Sequence, residues 1–278
     1  MVKINGKEIA QKILTGLQSQ PVPKKFLAVF LVGNDPGSVS FIEQKEKIAR
    51  ELGVDFRSYH YEENITNDDL RERMRKIVLA KRCGGAILQL PLPNNLNPFY
   101  AVNVVPPQKD IEIMSERTIG SFYHGRSLVL PPTAAVIDEI LKSLNLKRNS
   151  FEQVAVLGQG FLVGRPVTNW FLEEVSEVCS LSEGCSLDYL KSVDLVVLGT
   201  GRTGLVKASM LKKGVGVIDF GYGISEKTGR MSGDFDADSL AETGEDHLSF
   251  YTPTPGGTGP ILVASLFKSF YKLNATDY

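Results

Sequence analysis

Apolar positions along the chain follow two alternating periods. Ile9 to Leu17 carries them at helical spacing. Phe26 to Val32 is an unbroken apolar run of buried-strand length, and Ser38 to Leu52 returns to the helical period behind a Gly/Asp/Pro loop, with Ser38 as the predicted cap. The alternation continues with a strand over Val54 to Tyr61, a helix over Asn67 to Ala80 and a short apolar run from Gly85 to Leu90 that Pro91 closes. Strands separated by helical stretches predict parallel sheets with crossover helices. From Pro131 the pattern starts afresh, with a helix over Thr133 to Leu144 and strands near Val154 to Leu157, Glu177 to Leu181, Asp194 to Leu198 and Val215 to Phe220. Gly, Thr and Pro crowd Thr252 to Pro260, and Ile261 to Phe270 reads as a last helix. The predicted class is α/β, with two α/β domains.

Composition narrows the partners. The chain has 278 residues, 31 Lys+Arg against 32 Asp+Glu and a net charge of -1. It therefore has no excess of cations with which to neutralise a nucleic-acid backbone. Its apolar runs fall short of the roughly 20 residues that cross a bilayer, and Met1 to Gln20 is too polar for a secretory signal, so no membrane association and a cytoplasmic location are expected. Cys83, Cys179 and Cys185 are odd in number and unsuitably spaced, and His60, His124 and His247 are isolated; neither a disulfide framework nor a metal site is expected.

Chemistry concentrates where predicted strands end. Gly158-Gln159-Gly160 follows a buried strand, and Gly164 and Pro166 stand at the start of the next helix, an arrangement that lets backbone N–H groups approach a pyrophosphate. The spacing GxGxxxG is not the usual dinucleotide fingerprint, and a turn without a ligand explains it equally well when taken alone. Three neighbours strengthen the ligand reading. Glu183 closes the next strand, where an acid accepts hydrogen bonds from an adenosine ribose, and two further strands run into Gly199-Thr200-Gly201 and Asp219-Phe220-Gly221. The second domain is accordingly expected to be Rossmann-like.

The first domain offers a lysine in an apolar setting. Phe41, Lys45, Ile48 and Leu52 recur at helical spacing on one face. Two explanations stay open: Lys45 lays its stem on the core and its ammonium in water, or it lines a cleft where desolvation lowers its pKa and makes it a proton carrier. Gln89 sits at a strand end, aimed at a cleft or satisfying nearby backbone. Lys109, Asp110 and Glu112 read, on sequence alone, as an ordinary charged loop.

Three runs in the same order are more specific. Val32-Gly33 through Ser38, Phe41 and Lys45, Gln89-Leu90-Pro91-Leu92-Pro93, and Pro255-Gly256-Gly257-Thr258-Gly259-Pro260 give the chain a form that resembles the bifunctional methylenetetrahydrofolate dehydrogenase/methenyltetrahydrofolate cyclohydrolase (FolD) family. The resemblance spans nearly the whole chain. It implies a folate-binding catalytic domain over residues 1–130 plus 258–278, a nucleotide-binding domain over 131–257, a cleft between them, and a homodimer. It also implies the reaction: 5,10-methylenetetrahydrofolate is oxidised to the methenyl cation with a nicotinamide cofactor, and water opens that cation to 10-formyltetrahydrofolate.

Residue by residue, the resemblance implies Lys45, Gln89 and Glu112 as the catalytic set. Tetrahydrofolate derivatives would meet these three together with Phe41, Leu90, Pro91, Asp110, Pro255, Gly256 and Gly257. The cofactor would meet Thr133, Gly158, Gln159, Gly160, Phe161, Val163, Gly164, Pro166, Ser182, Glu183, Gly199, Thr200, Gly201, Asp219 and Gly221. Departures from the family pattern matter as much. Its folate-stacking tyrosine is Phe41, which keeps the ring and lacks the hydroxyl that would bond Lys45. Its Lys-Asp-Val-Asp-Gly is Lys109-Asp110-Ile111-Glu112-Ile113, and its Pro-Cys-Thr-Pro-x-Gly keeps only Pro131 and Thr133. In the nucleotide loop Arg-Ser becomes Gln159-Gly160, and the later His-Ser becomes Ser182-Glu183. An arginine is lost and a carboxylate gained where the 2′-phosphate of NADP would lie, so NAD is the expected cofactor, with NADP as the alternative. A monofunctional dehydrogenase and a non-catalytic folate- or nucleotide-binding paralogue stay open beside the bifunctional reading.

Overall fold

Two parallel sheets organise the chain, each with its own layer of helices. The computed structural model describes all residues except 227, 245 and 276–278, and divides the chain into two compact units. One unit comprises Lys12–Pro132 and Val263–Tyr278; the other comprises Met1–Gln11 and Thr133–Leu262.

In the first unit, Phe26–Val32 is the central strand of three, flanked in parallel by Phe56–Tyr61 and Cys83–Leu88. Its position explains its composition. All seven residues are buried, as a strand covered on both faces requires, whereas the edge strand Phe56–Tyr61 alternates between half-buried and exposed positions. Each fully buried Leu, Val or Phe of this kind stabilises the fold by about 1.5–3 kcal/mol. The helix Pro36–Leu52 crosses between the first two strands. Its cap is Asp35, not Ser38: the Asp35 carboxylate accepts the Ser38 N–H at 2.8 Å, and Pro36 occupies the first turn, where its missing N–H costs nothing. Gly53, left-handed at φ 71°, ends that helix and delays the following strand to Phe56.

In the second unit, six parallel strands lie in the order Val2–Lys3, Phe250–Tyr251, Gly216–Asp219, Leu195–Leu198, Gln153–Leu157, Glu177–Leu181. The chain leaves Gln153–Leu157 toward one edge and returns on its other side at Leu195–Leu198. The crevice beyond the carboxyl ends of these two neighbours is the topological switch point where open α/β sheets bind ligands. Under the sheet, Ala155, Leu157, Val196, Leu198, Val206, Val217 and Phe235 share one buried cluster.

The N-terminus departs from the expected partition. Residues 1–11, grouped above with the folate domain, fall in the second unit, because Val2 and Lys3 pair with Phe250 and Tyr251 at the sheet edge. A two-residue strand is too short to leave a periodic signal in the sequence.

Candidate active site

The first unit assembles a buried polar group from three separate segments. Ser38, Ile42, Lys45, Ala49 and Leu52 form the buried stripe of the Pro36–Leu52 helix; Phe41 and Ile48 stand half-buried at its margin, one position round from the face expected for them. Lys45 is only 5% exposed, which excludes a snorkelling ammonium. Its Nζ donates to Gln89 Oε1 at 2.8 Å. The Gln89 amide is held in turn, since its backbone N–H bonds Phe30 O at 2.9 Å and its Nε2 donates to Leu90 O at 2.7 Å. Leu90 and Pro91 are joined by a cis peptide bond.

Glu112 completes this group electrostatically. Burial pushes its carboxyl up to about 7, opposed by the Lys45 charge and reinforced by Asp110. Burial likewise lowers the Lys45 pKa, and Glu112 counters it. Each residue is driven toward its neutral form by desolvation and toward its charged form by the other. The two titrations are therefore coupled, each setting the other's protonation state.

Asp110, expected at the substrate, is also a structural centre of its own loop. Its Oδ2 accepts from Met114 N (3.0 Å), Ser115 N (2.7 Å) and Thr118 Oγ1 (2.5 Å), while Oδ1 shares the Met114 N–H at 3.2 Å, so the carboxylate ties together the loop and the first turn of the Glu116–Tyr123 helix. It holds the turn that presents Glu112. Lys109 caps the end of the Asn67–Val78 helix, donating to Val78 O at 2.6 Å and Ala80 O at 3.0 Å. Ile113, where the family pattern has glycine, adopts φ 56°, a left-handed conformation strained for a β-branched side chain. Its 5% exposure shows what compensates: the side chain is buried.

The second unit builds a nucleotide-sized recess at its switch point. A cavity of about 320 Å³ is lined by Gly158, Gln159, Gly160, Ser182, Glu183, Gly199 and Thr200 from the expected set, and by Gly184, Cys185, Leu187, Arg202 and Leu205, which the sequence reading missed. Gly158 is at φ 92°, and a Cβ there would sit 2.3 Å from Gly199 O; a Cβ on Gly164 would sit 1.8 Å from Gly158 O. These two glycines allow strand, loop and helix to close on one another. Gly160 instead faces open space, and no side chain caps the Gly164–Phe171 helix. A loop with an open glycine before an uncapped helix start fits a phosphate.

Two buried carboxylates support this recess from beneath. Asp234, completely buried, accepts from Thr200 N (2.6 Å) and Thr200 Oγ1 (2.8 Å) through Oδ2, while its Oδ1 has no hydrogen-bond partner. Asp219 accepts from Gly221 N at 2.6 Å and Phe235 N at 2.8 Å. Burial raises its pKa to about 7 against those backbone donors, and Asp234 adds to the rise. Asp219 and Gly221, expected at the cofactor, do not line this cavity. The same holds for Thr133, whose hydroxyl donates to Leu162 O at 2.9 Å; Phe161, Val163, Gly164, Pro166 and Gly201 also lie off the lining.

At the outer wall Glu183 lies just past its strand, exposed, and forms an ion pair with Arg202. Gln159 Nε2 turns away to Ser180 O at 3.3 Å. The Pro255-Gly256-Gly257 turn follows a cis Thr254–Pro255 bond; Gly256 O accepts Gly6 N at 3.0 Å and Gly257 N bonds Pro253 O at 2.8 Å. Gly6 and Asp234 were missed, Gly6 because its reason is a long-range packing contact and Asp234 because a short acidic turn is common on surfaces.

Sheet order, glycine loop and the buried lysine group define a two-unit α/β protein with a nucleotide-binding parallel sheet and a separate catalytic unit. Comparison with known proteins gives the family. A model for the tetrahydrofolate dehydrogenase/cyclohydrolase NAD(P)-binding domain matches residues 131–277, and one for the catalytic domain of the same family matches residues 4–112. A bifunctional FolD protein of Clostridium botulinum is 33% identical over 96% of this chain and 95% of its own. The crystal structure of the bifunctional FolD enzyme of Campylobacter jejuni superposes with a TM-score of 0.90 at 27% identity, covering 99% of this chain and 98% of the other. The Trypanosoma brucei FolD structure, complexed with NADP and an inhibitor, superposes with a TM-score of 0.89 at 25% identity over 99% of this chain and 98% of that one. The chain belongs to the FolD family of bifunctional tetrahydrofolate dehydrogenase/cyclohydrolases and is an enzyme of one-carbon metabolism with an NAD(P)-binding domain. Among the described residues, no helix is long and apolar enough to cross a membrane.

Proposed function

We propose that this chain oxidises 5,10-methylenetetrahydrofolate to the methenyl cation, using NAD in preference to NADP, and hydrolyses that cation to 10-formyltetrahydrofolate. The observation that carries the reading is the Lys45 ammonium, sequestered from water, 2.8 Å from Gln89 Oε1, with its pKa lowered by burial. When bound, NAD(P) supplies the electron acceptor for the first step. That step needs the reacting carbon held in position by the binding residues, without a proton carrier. The second needs water activated beside a cationic substrate. A lysine already biased toward neutrality accepts a proton as the water oxygen bonds the bridging carbon and returns one to the nitrogen that leaves when the carbon–nitrogen bond breaks. Gln89 fixes the direction of the lysine Nζ, and Glu112 takes up the one proton the hydrolysis releases. The half-buried Phe41 ring offers a face for the aminobenzoyl group of the folate, and Glu112 a carboxyl for the polar edge of the pterin.

The NAD preference rests on Glu183 at the adenosine ribose and on a glutamine where the family carries a phosphate-binding arginine. The test is to follow reduced cofactor formed from methylenetetrahydrofolate with NAD and NADP in parallel, together with 10-formyl product. Comparable kcat/KM for the two cofactors removes the preference. Absence of 10-formyl product above the spontaneous rate favours the monofunctional reading, for which the missing Phe41 hydroxyl is the specific support.

A further inference from the structure

The cavity at the switch point is walled by one acidic and one cationic side chain, Glu183 and Arg202, and they are paired with each other. Both are largely solvent-exposed, at 74% and 54%, so the pair is held weakly and opens readily. The root of Arg202 is nevertheless fixed. Its backbone N–H bonds Thr200 Oγ1 at 3.1 Å, and Thr200 is clamped through both its N–H and its hydroxyl by the buried Asp234 carboxylate. The guanidinium thus swings from a rigid pivot within reach of Glu183. Among the described residues no other cation lines the cavity: Gln159 stands in the family arginine's place, and Arg165 directs its Nε to Gln159 O at 3.1 Å and lies off the lining.

We infer that Arg202 is the residue through which this chain discriminates its cofactor. Closed on Glu183, it steadies the carboxylate that accepts hydrogen bonds from a free ribose diol. Opened, it presents a planar fork to a ribose 2′-phosphate, a dianion that competes for it better than one carboxylate does. The pair therefore softens the repulsion that Glu183 alone would exert on NADP, and Arg202 becomes the chain's own route to NADP use. This inference rests on the reading that the cavity holds the adenosine end of NAD(P).

Isothermal titration of NAD and of NADP into wild type, Arg202→Gln, Glu183→Gln and Arg165→Gln tests it, with thermal melting of each variant as a check on folding. Arg202→Gln is expected to weaken NADP about tenfold more than NAD. Glu183→Gln is expected to tighten NADP severalfold, because it frees the guanidinium, and to weaken NAD. NADP binding to wild type should lose more affinity with added salt than NAD binding, and Arg202→Gln should abolish that difference. Two nucleotides bound by wild type, with their affinity ratio unmoved in Arg202→Gln or moved more by Arg165→Gln, would overturn the inference while leaving the dehydrogenase reading standing. A wild type that binds neither nucleotide overturns both.

Discussion

Replacing Lys45 by methionine separates the two proposed activities, and the structure sets the size of the effect. Methionine keeps most of the apolar stem and removes the amine. The variant no longer confines an ammonium at 5% exposure, which stabilises the fold, but it leaves Gln89 Oε1 without its 2.8 Å donor, which costs about 1–3 kcal/mol. These opposing terms leave the protein folded. Glu112 loses the cation that holds its pKa down, so its carboxyl climbs above the present value of about 7 and is neutral at physiological pH. Hydrolysis then lacks both the proton-carrying amine and the ionised carboxylate that takes up the released proton. A fall of roughly 10²–10⁴-fold is expected, or about 2.7–5.4 kcal/mol in the barrier, with dehydrogenation changed much less. Absorbance of reduced cofactor and of the methenyl cation in one cuvette separates the two steps, and circular dichroism checks the fold. Phe41→Tyr is the companion change and should raise hydrolysis by restoring a hydroxyl beside the amine. Equal loss of both activities in Lys45→Met, with folate binding intact, would refute the assignment of the lysine to the hydrolytic step.

Other outcomes follow from the same geometry. Glu112→Gln removes the anion that raises the Lys45 pKa, so the neutral amine persists to lower pH and the acid limb of the hydrolysis profile should shift downward; an unmoved limb would exclude electrostatic coupling. Glu183→Ser with Gln159→Arg should move the cofactor preference toward NADP in steady-state kcat/KM, and no change would dissociate these positions from the 2′-phosphate. Asp219 binds a proton more tightly folded, at about 7, than its ordinary value of 3.8, so from about pH 4 to 7 its contribution to stability falls as pH rises. The slope is up to about 1.4 kcal/mol per pH unit. Urea unfolding of wild type and Asp219→Asn across pH 5–8 isolates that term: the stability gap should narrow with pH, and a constant gap would place the titration elsewhere.

Hydrophobic periodicity determined much of this protein by itself. Phe26–Val32 is readable as a buried strand because a parallel strand covered on both faces must be apolar throughout, and the helix bearing Lys45 because burial on one side imposes a period of about 3.6. The glycine loop is legible for a local reason: Gly158 takes a backbone conformation that side chains resist. What the sequence left open was the purpose of polar residues, since a side chain's partners come from distant segments. The two explanations of Lys45 differ only in whether its amine reaches water, and the fold decided that by bringing Gln89 and Glu112 beside it from other loops. Asp110 and Glu112 are near neighbours in the chain, yet the first ties its loop to the start of the following helix and the second is coupled to Lys45. Arg202 carried no motif, and its meaning arose only when the ends of the two strands that flank Gln153–Leu157 placed it against Glu183. Backbone conformation is dictated locally and is therefore written in the sequence; desolvation and ion pairing depend on tertiary proximity, and only the folded chain decides them.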